Sequence, residues 1–307
     1  MKKYNLIFLF ILTIVCSDIL IAQELIKKKK VKDGITNEFY VLKDNKEIKQ
    51  GPFLSTYLDV FDKKYIADFG QYEQNAKTGT WLSFYYKNPS NFLKSSGEFK
   101  DNKKVGDWQY YFPGLISKAN ILSLFGSEKR TNIVSPKKGD IGFKIELDTS
   151  GLSLMCEGQY TDDVKSGVWE YYSKSGFLLH QYNHSSHEMM QNYFRDPQNN
   201  FLTFLGGPER FYNFYFTAQQ EINQEISVTK TSEVIYEIDK NGNYIYVQAF
   251  GDISFKNNVD KILETIPNEW IWLKQNATQK LQLISKVLYN ENSFMKYSFS
   301  LDFKVIN

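Results

Sequence analysis

The residues best suited to chemistry in this sequence are its three histidines, which lie within eight positions as His180, His184 and His187. Imidazole nitrogens are common ligands of Zn²⁺, and on a helix spacings of four and three would bring the rings to one face. Alternation of residue types instead predicts a strand through His180 and His184, with His187 in a loop. We therefore expect a surface cluster without a role and no bound metal, with the three histidines kept as a weak candidate metal site.

Other constellations typical of enzymes do not occur in the sequence. It contains no Gly-x-Ser-x-Gly, no phosphate-binding loop, no dinucleotide-binding glycine pattern and no His-Glu-x-x-His. Cys156 follows Leu and Met, a setting more typical of a buried small hydrophobe than of a nucleophile. We expect no catalytic residue, no cofactor and no enzymatic activity.

Composition favours β-sheet and a chain of two domains. The chain has 307 residues, which corresponds to about two domains of roughly 150 residues each. Aromatic residues make up 16% of it, and aromatic side chains favour the pleated, half-buried surface of strands. Because 37 Lys and Arg nearly balance 35 Asp and Glu, the charge indicates no nucleic-acid partner.

The N-terminus predicts export. Two lysines precede an apolar run over Leu6–Cys16, and Ala22 offers a small residue to a signal peptidase. We therefore predict a signal peptide over residues 1–22 and a location in the periplasm or cell envelope. An uncleaved membrane anchor and a lipid attached to Cys16 are the alternatives, although the apolar run is shorter than the roughly 20 residues of a spanning helix.

A basic run follows, with lysine at positions 27–30 and again at Lys32. Such a run can dock on anionic lipid headgroups, but a solvated basic tail is the simpler interpretation. We therefore expect membrane association only through an N-terminus that is not cleaved.

Comparison of the chain with itself reveals a repeat. Three segments align without gaps, each with two glycines nine residues apart, an aromatic residue two after the first, and Lys two before and Trp two after the second. The repeat-motif positions are Gly70, Tyr72, Gly79, Trp81, Gly97, Phe99, Gly106, Trp108, Gly158, Tyr160, Gly167 and Trp169. Each copy predicts a β-hairpin with a polar turn, whose aromatic residues pack on those of the neighbouring hairpins. Residues 51–57 are interpreted as half of a degenerate earlier copy, and an insertion is expected near residues 113–150.

These positions resemble the MORN-repeat variant of the YwqK family of bacterial proteins, whose unit is Gly-x-aromatic followed by Lys-x-Gly-x-Trp. The resemblance covers roughly residues 45–185. It implies a sheet of β-hairpin repeats used for protein contacts, and it provides no catalytic residues.

The C-terminal third has a different pattern. Turn residues over 239–243 separate two strand-like segments, residues 234–238 and 244–250. Apolar residues with helical spacing then run from Phe255 to Ile266 and end at Pro267. Two further strands are predicted over residues 279–289 and 297–303.

This order resembles the C-terminal domain of the TonB family of energy-transducing proteins, and the resemblance begins at Phe204-Leu205-Gly206-Gly207-Pro208, before a predicted short helix. It implies a sheet edge that adds an extended segment of an outer-membrane receptor as a further strand. By this resemblance, the partner-binding strand contains Leu281, Leu283, Ser285, Val287 and Tyr289, and its neighbour at 297–303 is the alternative. A true transducer also needs a Pro-rich spacer, and the chain has only 7 Pro.

We therefore predict a mainly β protein with an α+β part: a MORN-like β-hairpin repeat sheet over residues 23–190, then a small TonB-C-terminal-like ββαβ domain over residues 200–307. The predicted function is that of a non-enzymatic cell-envelope protein that binds protein partners, with an outer-membrane receptor as one candidate. The alternative is a component of TonB-dependent outer-membrane transport.

Overall fold

The structure, a computed structural model, describes residues 24–58, 64–85, 92–113, 132–134, 144–146, 152–194, 200–222, 230–274, 278–289 and 297–306. The predicted signal peptide and most of the predicted insertion lie outside the described residues. Within the described ranges, no helix combines the length and apolar character needed to cross a membrane.

The first part of the chain consists of antiparallel strands. They are β1 (Leu25–Lys32), β2 (Ile35–Leu42), β3 (Lys49–Leu58), β4 (Lys64–Glu73), β5 (Ala76–Phe84), β6 (Leu93–Lys100), β7 (Lys103–Phe112), β8 (Asn132–Val134), β9 (Lys144–Glu146), β10 (Ser153–Thr161), β11 (Val164–Tyr172), β12 (Leu178–Asn183) and β13 (Glu188–Asn192). The strands pair in the orders β1-β2-β3-β4-β5-β6 and β7-β10-β11-β12-β13, and β8 pairs with β9. The interpretation of the basic run as a solvated tail is therefore wrong, because its lysines lie in strand β1.

The remainder combines strands with two helices. These elements are β14 (Leu202–Phe204), α1 (Gly207–Ile222), β15 (Ser232–Ile238), β16 (Tyr244–Phe250), α2 (Ile253–Thr265), β17 (Trp270–Trp272), β18 (Lys280–Tyr289) and β19 (Tyr297–Ile306). A four-stranded sheet has the order β16-β15-β18-β19, and β14 pairs with β17. The prediction of a mainly β protein built on a long run of hairpins is confirmed.

The described strands belong to two compact units. One contains β1–β6, β8, β9 and the start of β7; the other contains β7 from Gly106 onward, β10–β13 and every element from β14 to β19. This division differs from the predicted boundary near residues 190–200. Contacts inside the second unit explain the difference: the backbone N–H of Gly206 donates to His180 of β12 at 3.0 Å, and that of Lys174 donates to Glu209 of α1 at 2.8 Å.

The repeat motif forms hairpins with two-residue turns in which both residues have positive φ. The turn φ values are 48° and 69° at Gln74 and Asn75, 52° and 68° at Asp101 and Asn102, and 49° and 70° at Asp162 and Asp163. Positive φ at both positions defines the turn whose twist matches that of the flanking strands. The second glycine of each copy also has positive φ, with 62° at Gly79, 63° at Gly106 and 62° at Gly167.

The first glycine of the motif makes room for the tryptophan. A Cβ atom on Gly70 would lie 2.3 Å from the Trp81 indole, and one on Gly158 would lie 2.4 Å from the Trp169 indole. Any side chain at these positions would displace the ring. The nine-residue glycine spacing therefore reflects close packing on the first strand and a positive-φ position inside the second strand, past the turn.

The motif lysine covers the same indole. The Nζ atom lies 4.2 Å from the ring centre in both Lys77–Trp81 and Lys165–Trp169. An ammonium group over an indole face is attracted by the ring quadrupole. The Lys-x-Gly-x-Trp spacing thus places the cation over its own tryptophan.

The register supports the degenerate first copy. Gly51 lies opposite Tyr72 and Phe53 opposite Gly70, which is the pairing of the motif glycine and tryptophan in the full copies. Phe53 takes the place of the tryptophan and stacks on Trp81 with ring centres 5.5 Å apart.

The C-terminal elements share one apolar core. Helix α2 buries Phe255, Val259, Ile262 and Leu263, as the sequence spacing predicts. The Asp252 carboxylate caps the helix by accepting from the Ser254 N–H at 3.0 Å. The wider core is formed by residues of α1, α2 and the sheet, including Phe204, Phe211, Tyr215, Val234, Tyr236, Trp270, Leu281, Leu283 and Val287.

Candidate functional site

The predicted partner-binding strand is not a sheet edge. Strand β18 pairs along its length with β15 on one side and β19 on the other. Leu281, Leu283, Ser285 and Val287 are buried, and only Tyr289, at the strand end, retains partial exposure. The prediction is therefore wrong for β18, because both of its backbone edges are already hydrogen bonded.

The alternative strand over 297–303 is an edge, but charges interrupt it. Strand β19 contains Asp302 and Lys304, and its Phe303 ring packs on Phe211 and Trp270 at 5.2 and 5.6 Å between ring centres. Charged side chains on an edge strand discourage the addition of a further strand. Strand β19 therefore closes this side of the sheet.

The opposite edge, β16, has an exposed apolar surface. Ile245, Tyr246, Val247 and Phe250 are 50%, 47%, 39% and 56% exposed. The strand contains no charged residue, and no other described strand pairs with its outer side. An edge of this kind is open to pairing with another extended chain.

The register identifies the backbone groups that face outward. Antiparallel pairs alternate between hydrogen-bonded and non-hydrogen-bonded positions. Since the Asp239 N–H donates to the Asn243 carbonyl at 2.9 Å, the pair of Tyr236 and Tyr246 three positions along is non-hydrogen-bonded. The N–H and C=O of Tyr246 therefore point away from β15. A bulge at Val247 follows.

Charged groups of α2 lie beside this edge. The Lys256 ammonium lies 4.9 Å from the ring centre of Tyr246 and pairs with the Asp260 carboxylate at 2.6 Å. The hydroxyl of Tyr236 donates to Asp260. Burial, and to a smaller extent this hydrogen bond, raise the pKa of Tyr236. Tyr246 is thus held between β15 and α2 while its backbone stays open.

The predicted surface location is wrong for His180, which is a buried structural residue. Its ring is fully buried, with Nδ1 accepting the Gly206 N–H at 3.0 Å and Nε2 lying 3.4 Å from the Thr203 hydroxyl. Burial and then the charge of Arg210 lower its pKa to about 4. Both ring nitrogens of His180 therefore face partners within the protein.

The other two histidines lie elsewhere. His184 Nε2 is 2.7 Å from the Tyr171 hydroxyl, and burial and then the charge of Lys165 lower its pKa to about 4. His187 lies in the turn after β12 with a φ of 57°. Among the described residues, no group of three or more His, Cys, Asp or Glu is arranged to hold a metal ion.

A buried ion network lies beside the histidines. Glu269 pairs with Lys165 at 2.5 Å and with Arg210, which also donates to the Leu205 carbonyl at 2.8 Å. Burial by itself raises the pKa of Glu269, but the charges of Arg210 and Lys165 outweigh burial and hold this pKa at about 2. The network is ionised at neutral pH and joins three separate segments of the second compact unit.

The aromatic residues of the repeats are packing residues. Trp81, Trp108 and Trp169 are buried and contact neighbouring rings edge-on or stacked. Cys156 is also buried, and burial raises the pKa of its thiol. These positions are therefore shielded from a ligand in solution.

Sequence patterns indicate neither the ion network nor the open edge of β16, although they predict the strand itself. Arg210 directly precedes the aromatic run Phe-Tyr-Asn-Phe-Tyr-Phe of α1, and a buried arginine requires a paired acid. That signal indicates a partner for Arg210, but only the fold identifies Glu269.

Comparison with known proteins found no matching family model, no matching curated protein and no matching solved structure. The two resemblances identified from sequence motifs therefore stay predictions.

Proposed function

We propose that the protein is a non-enzymatic, exported cell-envelope protein that binds other proteins, and that its C-terminal sheet adds an extended segment of a partner along β16. The observation that supports this is the exposed, uncharged and unpaired edge of β16. Backbone hydrogen bonds supply affinity in such strand addition, and the alternating side chains supply specificity.

The chemistry of the edge favours a particular partner segment. Ile245 and Val247 are β-branched and exposed, and β-branched or aromatic residues pair well with them across strands. A charged side chain opposite these residues would lose hydration without gaining a counter-charge. The expected partner is a short, extended and uncharged segment of another envelope protein.

The element order of residues 232–289 supports the resemblance to the TonB C-terminal domain. Strand, turn, strand, helix and strand follow one another as that resemblance predicts. In the alternative function, a component of TonB-dependent transport, the partner would be an outer-membrane receptor.

The test uses the full chain in cells that produce it. A photo-crosslinking amino acid replaces Ile245, and in a control it replaces Leu288, which is equally exposed at 50% but lies on the paired strand β18. Tyr246→Pro removes the outward N–H, which an edge strand tolerates, whereas Tyr246→Ala removes only the ring. We expect adducts from position 245 that persist in Tyr246→Ala and disappear in Tyr246→Pro.

Two results would overturn the proposal. One is equal crosslinking from positions 245 and 288; the other is a position-245 adduct that Tyr246→Pro leaves intact. Identification of the adduct as an outer-membrane receptor would favour the transport alternative, and mass spectrometry of the purified N-terminus tests cleavage at Ala22.

A further inference from the structure

The β1–β2 hairpin has a concentration of lysines that strand addition at β16 does not use. Side chains alternate along a strand, so Lys28, Lys30 and Lys32 lie on one face of β1 while Lys27 and Lys29 lie on the other. All five are exposed. The two faces differ in their counter-charges.

The face with Lys27 and Lys29 is partly compensated by an acid. Glu38 lies opposite Lys29, and its carboxylate accepts from Lys27 Nζ at 2.7 Å and from Lys64 Nζ at 3.1 Å. Burial raises the pKa of Glu38, but the hydrogen bonds and charges of Lys27 and Lys64 outweigh it and lower that pKa. Glu38 is therefore ionised and offsets one positive charge on this face.

The face with Lys28, Lys30 and Lys32 has almost no compensation. Lys28 and Lys30 form no ion pair within the described ranges, and Lys32 reaches only the exposed Asp33 at 3.9 Å. The residues opposite these lysines on β2 are uncharged, namely Phe39, Asn37 and Ile35.

A fourth lysine joins this face from β3. Lys49 Nζ lies 5.5 Å from the ring centre of Phe39 and 4.7 Å from that of Tyr72. We call Lys28, Lys30, Lys32 and Lys49 the basic face. Its ammonium groups surround half-buried apolar residues, Ile35 and Phe39, as at a surface that meets a membrane interface.

We propose that the basic face docks the protein on an anionic phospholipid surface. Charge complementarity selects the partner: three lysines of β1 and one of β3 share this face, and within the described residues the exposed Asp33 is the acid paired with them. No described strand covers the outer edge of β1. Lysine on an edge strand also discourages pairing, but that role does not require concentration on one uncompensated face. This docking is independent of β16 and adds a route to the membrane besides an uncleaved N-terminus.

The test measures the binding of purified protein that lacks the predicted signal peptide, residues 1–22, to lipid vesicles. Vesicles of phosphatidylcholine alone are compared with vesicles that contain phosphatidylglycerol, at low and high salt. Each lysine near an anionic surface contributes about 1 kcal/mol, a roughly five-fold change in partition. Replacing Lys28, Lys30 and Lys32 together by Gln should therefore lower the partition on the order of 100-fold.

The matched control replaces Lys240, Lys261 and Lys274 by Gln, with the same change in net charge at exposed positions elsewhere. It should bind as the parent does, and Arg at positions 28, 30 and 32 should restore binding. Equal losses in both Gln triples would show attraction by net charge alone and overturn the proposal. Binding that is equally strong to vesicles without phosphatidylglycerol would also overturn it.

Discussion

At the scale of the residue, the first glycine of a repeat hairpin leaves no room for a side chain. Gly158 has an ordinary φ, but its Cβ would overlap the Trp169 indole. We expect Gly158→Ala to lower the free energy of unfolding by about 1–3 kcal/mol, the usual cost of overpacking. Urea unfolding measures the loss, and near-ultraviolet circular dichroism reports displacement of the ring.

Gly167 is the control for this prediction. Its φ is +62°, and nothing lies within 4 Å of an added Cβ, so Gly167→Ala pays only the left-handed backbone strain of about 1 kcal/mol. In a Trp169→Leu background the cost of Gly158→Ala should shrink, while that of Gly167→Ala should not. An unchanged cost in that background would show that the indole is not the obstacle.

Glu269 is the second residue with a large expected effect. Glu269→Gln leaves Arg210 and Lys165 without their shared carboxylate, and breaking a buried ion pair from one side typically costs about 3–5 kcal/mol. The matched change is Glu237→Gln, since Glu237 pairs with the exposed Lys280 at 2.8 Å; an exposed pair contributes about 1 kcal/mol or less. Comparable losses for the two variants in urea unfolding would contradict a dominant role of the buried network.

At the scale of the element, asparagines in the turns form hydrogen bonds to the preceding hairpins. The Asn102 side-chain oxygen accepts the Lys77 N–H at 2.8 Å, while its own N–H donates to the Lys77 carbonyl at 3.1 Å. Asn75 makes the same two bonds to Lys49, at 2.7 and 3.0 Å. Asparagine thus serves both the positive φ of the turn and the preceding hairpin.

This pair of hydrogen bonds predicts an order of stability among Asn102 variants. Asn102→Gly keeps the backbone geometry but removes the acceptor, with an expected loss of about 1 kcal/mol, whereas Asn102→Asp keeps an acceptor and should cost less. Hydrogen exchange at the Lys77 amide provides a local readout: protection should fall in Asn102→Gly and persist in Asn102→Asp. Persistence in both variants would mean that the side chain does not hold this amide.

Element existence was predictable from sequence because the determinants are local. The glycine spacing of the repeat, the turn residues before β16 and the helical spacing of Phe255 to Ile266 all act within about a dozen residues. Pairing order is not local, which explains the error at β18. The alternation of Lys280–Tyr289 shows one buried face, but it does not show whether one or two strands flank the segment.

The ion network was hidden from sequence for the same reason. Glu269 is 59 residues from Arg210 and 104 from Lys165, so no spacing rule connects them. The basic run gave its charge but not its conformation, because lysine has only a weak strand preference. Pairing with β2 decides that outcome.

At the scale of the whole molecule, the described groups whose pKa values are strongly lowered, His180, His184 and Glu269, belong to the second compact unit. The pKa values of His180 and His184 are lowered to about 4, so the stability they contribute is complete above their ordinary value of about 6.5. It is lost as the pH falls from about 6.5 to 4, since the unfolded chain binds these protons first. Glu269, with its pKa at about 2, loses its contribution only below about pH 4.5.

In the described residues of the first compact unit, Glu38 is the acid with a lowered pKa. Its contribution to stability begins to fall only near the ordinary pKa of glutamate, so these residues lack the sensitivity to pH between 6.5 and 4.5. Between pH 6.5 and 4.5 we therefore expect β10–β12 to lose hydrogen-exchange protection while β2–β5 retain it, with labelling times scaled for the intrinsic rates. The double variant His180→Gln, His184→Gln should remove the pH dependence in this window, because the neutral amides take up no proton. Its stability at pH 7 should be lower than that of the parent. His187→Gln, in an exposed turn, should leave the profile unchanged. A simultaneous loss of protection in both units, or a profile that the double variant does not alter, would show that titration of these histidines does not set the acid limit of the fold.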